Sequence, residues 1–172
     1  WSVRERALWW VDSRAPALRR LDPVTGAVRG FPLPDLCCGV ALSGPGRLVL
    51  SMRTGLAAFD PAHGILTPLL ELEPPELDNR LNDTKCDRQG RLWVGTMRDY
   101  GAARTGSLYR VGADLVPERI LSPVTVPNAL CWSPDDRTLY FADTPEGTIR
   151  AYAFDADSGR IGAMRLLLEG EA

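Results

Sequence analysis

The chain has 172 residues and a formal net charge of −2, with 24% charged residues. That length builds one well-buried domain rather than two, and balanced charge without a basic stripe excludes nucleic acid as an expected partner. No apolar run approaches the ~20 residues that span a membrane and no signal-peptide pattern opens the chain, so a cytoplasmic, membrane-free protein is expected.

In chain order, the first apolar runs predict strands at Leu8–Asp12 and Ala17–Leu21, followed by a turn from Asp22 to Gly26. Cys37 and Cys38 are adjacent, while Cys86 and Cys131 stand alone, so no zinc-type C-x-x-C spacing exists. Buried, reduced thiols are the expectation, most easily met in a reducing compartment. Gly44-Pro45-Gly46 turns the chain into Leu48-Val49, and Asp60 to Gly64 repeats the D-x-x-x-G turn. Asp at a turn start bonds its own backbone, and Gly supplies the positive φ at its end. His63, the sole histidine, lies in that turn and reads as solvated. No G-x-S-x-G motif is present to make a serine triad with it. The acidic run Glu71, Glu73, Glu76 and Asp78 around Pro74-Pro75 reads as a solvated loop.

From Asn79 to Met97 the chain reads N-R-L-N-D-T-K-C-D-R-Q-G-R-L-W-V-G-T-M. Arg80, Asn82 and Asp83 fall on a short connection ahead of the apolar run at Leu92, where a β-scaffold commonly presents ligands. Arg80 could equally pair with Glu76 or Asp78, and Asn82-Asp83 could make an Asx turn. Val126 to Asp143, V-P-N-A-L-C-W-S-P-D-D-R-T-L-Y-F-A-D, repeats the arrangement with Asn128 on the approach. Further strands are expected at Gly106–Val111 and Thr148–Phe154, and the D-x-x-x-G turn returns at Asp155 to Gly159. Trp93, Trp132 and Tyr140 read as packing between repeats.

The strand openings Leu8, Leu48, Leu92 and Leu139 recur 40, 44 and 47 positions apart. Spacing of roughly 40–50 residues is the period of a propeller blade, and no segment sustains a helical apolar period. The fold class expected is therefore all-β, a β-propeller of three to four blades forming one partial domain over residues 1–172.

The strings R-x-N-D…D-x-x-G-R-x-W-x-G-T-M and P-N-A-L-x-W-S-P-D-x-x-x-L-Y-x-A-D-T, with the opening A-L-W-W-V-D-S, resemble the SMP-30/gluconolactonase/LRE family, which includes regucalcin and sugar lactonases. The resemblance implies six blades, about 260 residues at the blade period, and hence a chain truncated at both ends. An open arc of blades leaves unpaired sheet faces, and self-association is the other way to close it. It also implies a metal-dependent hydrolase of sugar lactones, with a small-molecule lactone as partner and one divalent cation (calcium, zinc, manganese or magnesium) as cofactor. By motif position Asn128 matches the metal-binding Asn, while the family's ligand Glu would precede Trp1 and its ligand Asp would lie beyond Ala172. No catalytic residue is therefore assigned within the chain. Arg80 and Asn82 match the substrate-contacting pair. Asp99 and Tyr100 lie near the place of an acidic substrate contact, with Tyr100 at the matching offset. Asp83 is expected to accept backbone N–H bonds behind the site. The family's Gly after the metal-binding Asn is replaced by Ala129. Two other readings stay open: a non-enzymatic propeller module binding calcium or protein, and an inactive partial chain.

Overall fold

Short apolar runs closed by Asp- and Gly-containing turns pair into antiparallel meanders, and the computed structural model, which describes residues 1–170, is built of four such sheets. The first sheet holds β1 (Leu8–Asp12), β2 (Ala17–Leu21) and β3 (Val28–Pro32). The second holds β4 (Cys37–Leu42), β5 (Leu48–Met52), β6 (Gly55–Asp60) and β7 (Ile65–Glu71). The third holds β8 (Asn79–Cys86), β9 (Leu92–Arg98), β10 (Gly106–Val111) and β11 (Pro117–Val124). The fourth holds β12 (Pro127–Trp132), β13 (Thr138–Asp143), β14 (Thr148–Asp155) and β15 (Arg160–Glu169). Each strand pairs with its sequence neighbour, as in a propeller blade, and the fold class is the all-β propeller. Among the described residues no helix is long and apolar enough to cross a membrane.

The D-x-x-x-G turns fall where expected. Asp22 Oδ1 accepts from Val24 N at 2.9 Å and Asp60 Oδ1 from Ala62 N at 2.9 Å, while Asp155 Oδ1 accepts from Asp157 N at 3.0 Å. Gly26, Gly64 and Gly159 close these turns at φ of +71°, +69° and +68°. His63 is solvated and its ring nitrogen pairs with Asp60 Oδ2 at 2.9 Å.

Backbone contacts divide the chain into two compact units, Trp1–Leu72 and the chain from Glu73 onward. In the first unit Trp9, Leu18, Phe31, Cys37, Leu48, Leu50 and Phe59 form one cluster. Phe31 stacks on Trp9 at 5.9 Å and meets Phe59 edge-on at 5.5 Å. In the second unit the cluster is Trp93, Leu108, Val124, Leu130, Leu139, Phe141, Tyr152 and Phe154. Each such residue contributes roughly 1.5–3 kcal/mol by leaving water. β13 shows why these residues are chosen, since Leu139 and Phe141 alternate inward with half-buried neighbours. Trp93 on β9 meets Trp132 on β12 at 5.8 Å, so this pair does pack between the third and fourth sheets.

Two guanidinium groups close the same seam at its rim. Arg91, oriented by Asp87 Oδ2 at 2.7 Å, donates to the carbonyls of Asp157 (3.0 Å) and Ala156 (2.5 Å). Arg110 donates to the carbonyls of Ser158, at 2.9 Å, and Gly159.

Four expectations change. The runs at Leu48, Leu92 and Leu139 form the second strand of their sheets, because a first strand precedes each of them. Arg80, Asn82, Asp83 and Asn128 thus lie in strands, not on connections. Cys86 and Cys131 are exposed, because their positions turn to the outer face of β8 and β12; of the cysteines only Cys37 is fully buried. Glu73 is not solvated but 3% exposed, and accepts a hydrogen bond from the Thr96 hydroxyl. Burial and the Glu73 charge both push the Tyr109 phenol above its ordinary pKa.

Candidate functional site

The site grows from two β-bulges. In the third sheet Leu81 pairs with Thr96 and Thr84 with Val94, so Asn82 and Asp83 together oppose Gly95. In the fourth, Asn128 pairs with Ala142 and Cys131 with Tyr140, so Ala129 and Leu130 oppose Phe141. A bulge bends its strand and re-aims the side chains it carries. Ala129 takes the left-handed conformation at φ +61°, which costs an L-residue about 1–2 kcal/mol.

Gly95, on β9, lets β12 approach the third sheet. A Cβ there would lie 2.4 Å from Pro127 Cγ and 2.5 Å from its Cβ, so glycine is what admits the Pro127 ring. Leu130 N, freed from the ladder by the bulge, donates to Asp83 Oδ2 at 3.0 Å, the backbone-accepting place expected of Asp83. Asp143, 1% exposed, accepts from Thr125 N at 2.9 Å and Val126 N at 2.7 Å and holds the entry to β12.

On this frame a chain of polar contacts links both sheets. Arg80 Nε donates to Asp99 Oδ1 at 2.9 Å, with side chains only 13% and 4% exposed. Neither Glu76 nor Asp78 takes that place, because Asp99 follows β9, the strand paired with β8. Arg80 Nη1 donates to Leu81 O and to Asn82 Oδ1, both at 2.9 Å. Asn82 Nδ2 donates to Pro127 O at 2.9 Å and to Asn128 Oδ1 at 3.2 Å. Asn128 Nδ2 donates to Thr144 Oγ1 at 2.8 Å. Arg80, Asn82 and Asn128, more than forty positions apart in sequence at their ends, thus form one connected group, joined to Asp99. Tyr100 is not joined to it by any hydrogen bond and is 70% exposed. Thr144, Pro127 O and Gly95 were not singled out from sequence. The D-T pair ending the second motif is the signal that points to Thr144.

The donor set bears on a cation. Asn128 Oδ1 accepts one hydrogen bond from Asn82, and an amide oxygen has two acceptor positions. A neutral carbonyl oxygen suits calcium, magnesium or manganese. Among the described residues no group of three or more His, Cys, Asp or Glu could hold a metal. Asn128 therefore fits as one oxygen donor to a hard cation, not as a complete cage.

Residues 1–172 match the model of the SMP-30/Gluconolactonase/LRE-like region. The chain is 36% identical to the 6-deoxy-6-sulfogluconolactonase of Pseudomonas putida over 170 residues, 98% of this chain and 58% of that protein. Among solved structures it is similar to a luciferin-regenerating enzyme, at TM-score 0.91 and 30% identity over 98% of this chain and 59% of the other. It is also similar to a calcium-binding regucalcin from Agrobacterium tumefaciens, at TM-score 0.87 and 30% identity over 93% and 54%. The chain thus spans less than three-fifths of the length of each of these proteins. With its blade meanders and both central motifs in place, the chain belongs to the SMP-30/gluconolactonase/LRE-like family.

Proposed function

We propose that this chain supplies the substrate-orienting part of a metal-assisted sugar-lactone hydrolase. The observation that carries the reading is the connected group Arg80–Asn82–Asn128, set across two sheets and fixed from behind by Asp99 and Asp83. The Pseudomonas relative's name describes a gluconolactone, and the Agrobacterium structure is described as calcium-binding; both support a lactone ring and an oxygen-preferring cation here.

A lactone is a cyclic ester, and its hydrolysis builds negative charge on the carbonyl oxygen. A bound divalent cation supplies Lewis acidity and a more acidic water. Asn128 contributes a neutral amide oxygen to that cation. Asn82 commits both Nδ2 protons to Pro127 O and Asn128 Oδ1, and accepts from a ring hydroxyl at the second acceptor position of its Oδ1. Arg80, kept in place by Asp99, presents positive charge to substrate oxygens through charge-assisted bonds. Tyr100, exposed beside Asp99, offers an aromatic face to the sugar. The nucleophile in this reading is water.

The test is acid release from glucono-δ-lactone, followed by pH indicator against the spontaneous rate, with chelator and with calcium, zinc or manganese restored. Cation-dependent hydrolysis should fall by on the order of 100-fold in Asn128→Ala. A rate indifferent both to chelator and to this substitution would overturn the proposal.

A further inference from the structure

The polar chain at the site has a direction, and the direction is forced. Arg80 can only donate, and Pro127 O can only accept. Asn82 lies between them, so its Oδ1 must face Arg80 and its Nδ2 must face Pro127. The second Nδ2 proton reaches Asn128 Oδ1 at 3.2 Å. Asn128 must then turn its own Nδ2 away, where it meets Thr144 Oγ1 at 2.8 Å. A flipped Asn128 amide would set N–H against N–H at Asn82.

Thr144 is itself held by backbone. Its N–H donates to Val126 O at 2.9 Å, and its carbonyl accepts from Gly147 N at 3.1 Å. It opens the short 3-10 segment Thr144–Glu146, which Gly147 caps at φ +64°. The preceding Asp143 is fixed by two backbone N–H groups of the Thr125–Val126 turn. The hydroxyl therefore sits on the same tied segment that leads into Asn128.

We infer that Thr144 is a positioning residue for Asn128, its hydroxyl accepting from Nδ2 so that the amide oxygen keeps its open acceptor position toward a cation. The inference rests on the reading of Asn128 as a cation donor, but the orientation itself does not need the cation. Asn82 sets which way the amide points, and Thr144 holds it there. Partners that orient a metal ligand through hydrogen bonds commonly govern its affinity. Thr144 is exposed, so replacing its hydroxyl by a methyl group removes little packing.

The experiment compares the wild-type chain with Thr144→Val and Thr144→Ser. The first readout is cation-free: the side-chain NH2 resonances of Asn128 and Asn82 in 15N-edited NMR spectra. Thr144→Val should shift or broaden both pairs, and Thr144→Ser should return them to their wild-type positions. The second readout is manganese affinity, from the paramagnetic signal of the free ion. Thr144→Val should weaken it about tenfold, with Ser restoring it. Unchanged NH2 pairs in Thr144→Val, or failure of Ser to restore them, overturns the positioning role. Manganese failing to bind the wild-type chain overturns the cation reading of Asn128, and the NMR comparison then decides Thr144 alone.

Discussion

β4 in the first unit and β8 and β12 in the second share a backbone device but not its chemistry. Cys37 pairs with Met52, Leu81 with Thr96 and Pro127 with Asp143, and each partner is the fourth residue after its strand's leucine. The residues that follow, Cys38, Asn82 and Asn128, stand at equivalent places, and each strand has a bulge at that place (β4, β8) or directly after it (β12). In β4 the bulge follows Cys37, whose thiol is pushed up to about 12 by burial and is inert. At the bulge of β8 and just before that of β12 stand two amides, Asn82 and Asn128, that bond each other. The bulge belongs to the blade, and the function is a graft upon it. The opposing residue differs in step: Ser51 in the second sheet, Gly95 in the third, Ala142 in the fourth.

The comparison can be broken at several points. The largest effect is expected from Gly95→Ala. Its new Cβ would meet the Pro127 ring at 2.4 Å, whereas Ser51 at the equivalent place already carries a side chain. Overpacking of this kind costs about 1–3 kcal/mol. Urea unfolding should show the loss, and the Asn82 NH2 resonances should move as Pro127 is displaced. A neutral outcome would mean that the close approach of β9 and β12 is not what shapes the site.

Ala129→Gly should act in the opposite sense. It relieves a positive φ worth about 1–2 kcal/mol and gives back about 0.5–1 kcal/mol of backbone entropy, for a net gain of up to about 1.5 kcal/mol. No such gain is expected at the bulge in β4, where neither Cys38 nor Gly39, the residue in the place of Ala129, has a positive φ. A lower denaturation midpoint for Ala129→Gly would contradict this account.

The smallest effect concerns acid, and here the two units should agree. The carboxyls of Asp22, Asp60 and Asp155 are held below the ordinary value of 3.8 by bonds from Val24 N–H, from the His63 side chain and from the Ser158 hydroxyl, respectively. Because the folded state binds these protons more weakly, the turns contribute stability above that value and lose it as pH falls through the depressed ones. Changing all three to Asn should flatten the decline of urea midpoints below pH 3.8, with Asp22 and Asp60 behaving like Asp155. An unaltered acid slope would count against the turn contribution.

Much of this architecture is legible in the sequence because it is periodic. The D-x-x-x-G turns and the strands at Leu8–Asp12 and Gly106–Val111 fall where alternation and turn chemistry put them, and the leucine period finds real strands although all but the first are second in their sheets. His63 and Asp83 also stand as expected, each through contacts within one turn or one strand pair. The first strands of the other three sheets, β4, β8 and β12, are harder to read. Their bulges break the two-residue alternation on which a strand is recognised, so polar strand residues look like a connection. Asp99 meets Arg80 through strand pairing across a hairpin, not through nearness in sequence. Cys86 and Cys131 mislead because an apolar neighbourhood in sequence does not tell which face of a strand points inward.

The seam closed by Arg91 and Arg110 has a further consequence. Most of their grip is on turn carbonyls, which never titrate, and guanidinium stays charged throughout the working pH range. Asp87 is the carboxylate that orients Arg91 there, and it is sealed from water. Added salt screens exposed pairs such as Arg53–Asp35 but reaches such partly buried charge–dipole contacts far less. Ionic strength should therefore trim the periphery of the molecule while leaving Asn82 and Asn128, which face each other across that seam, in register.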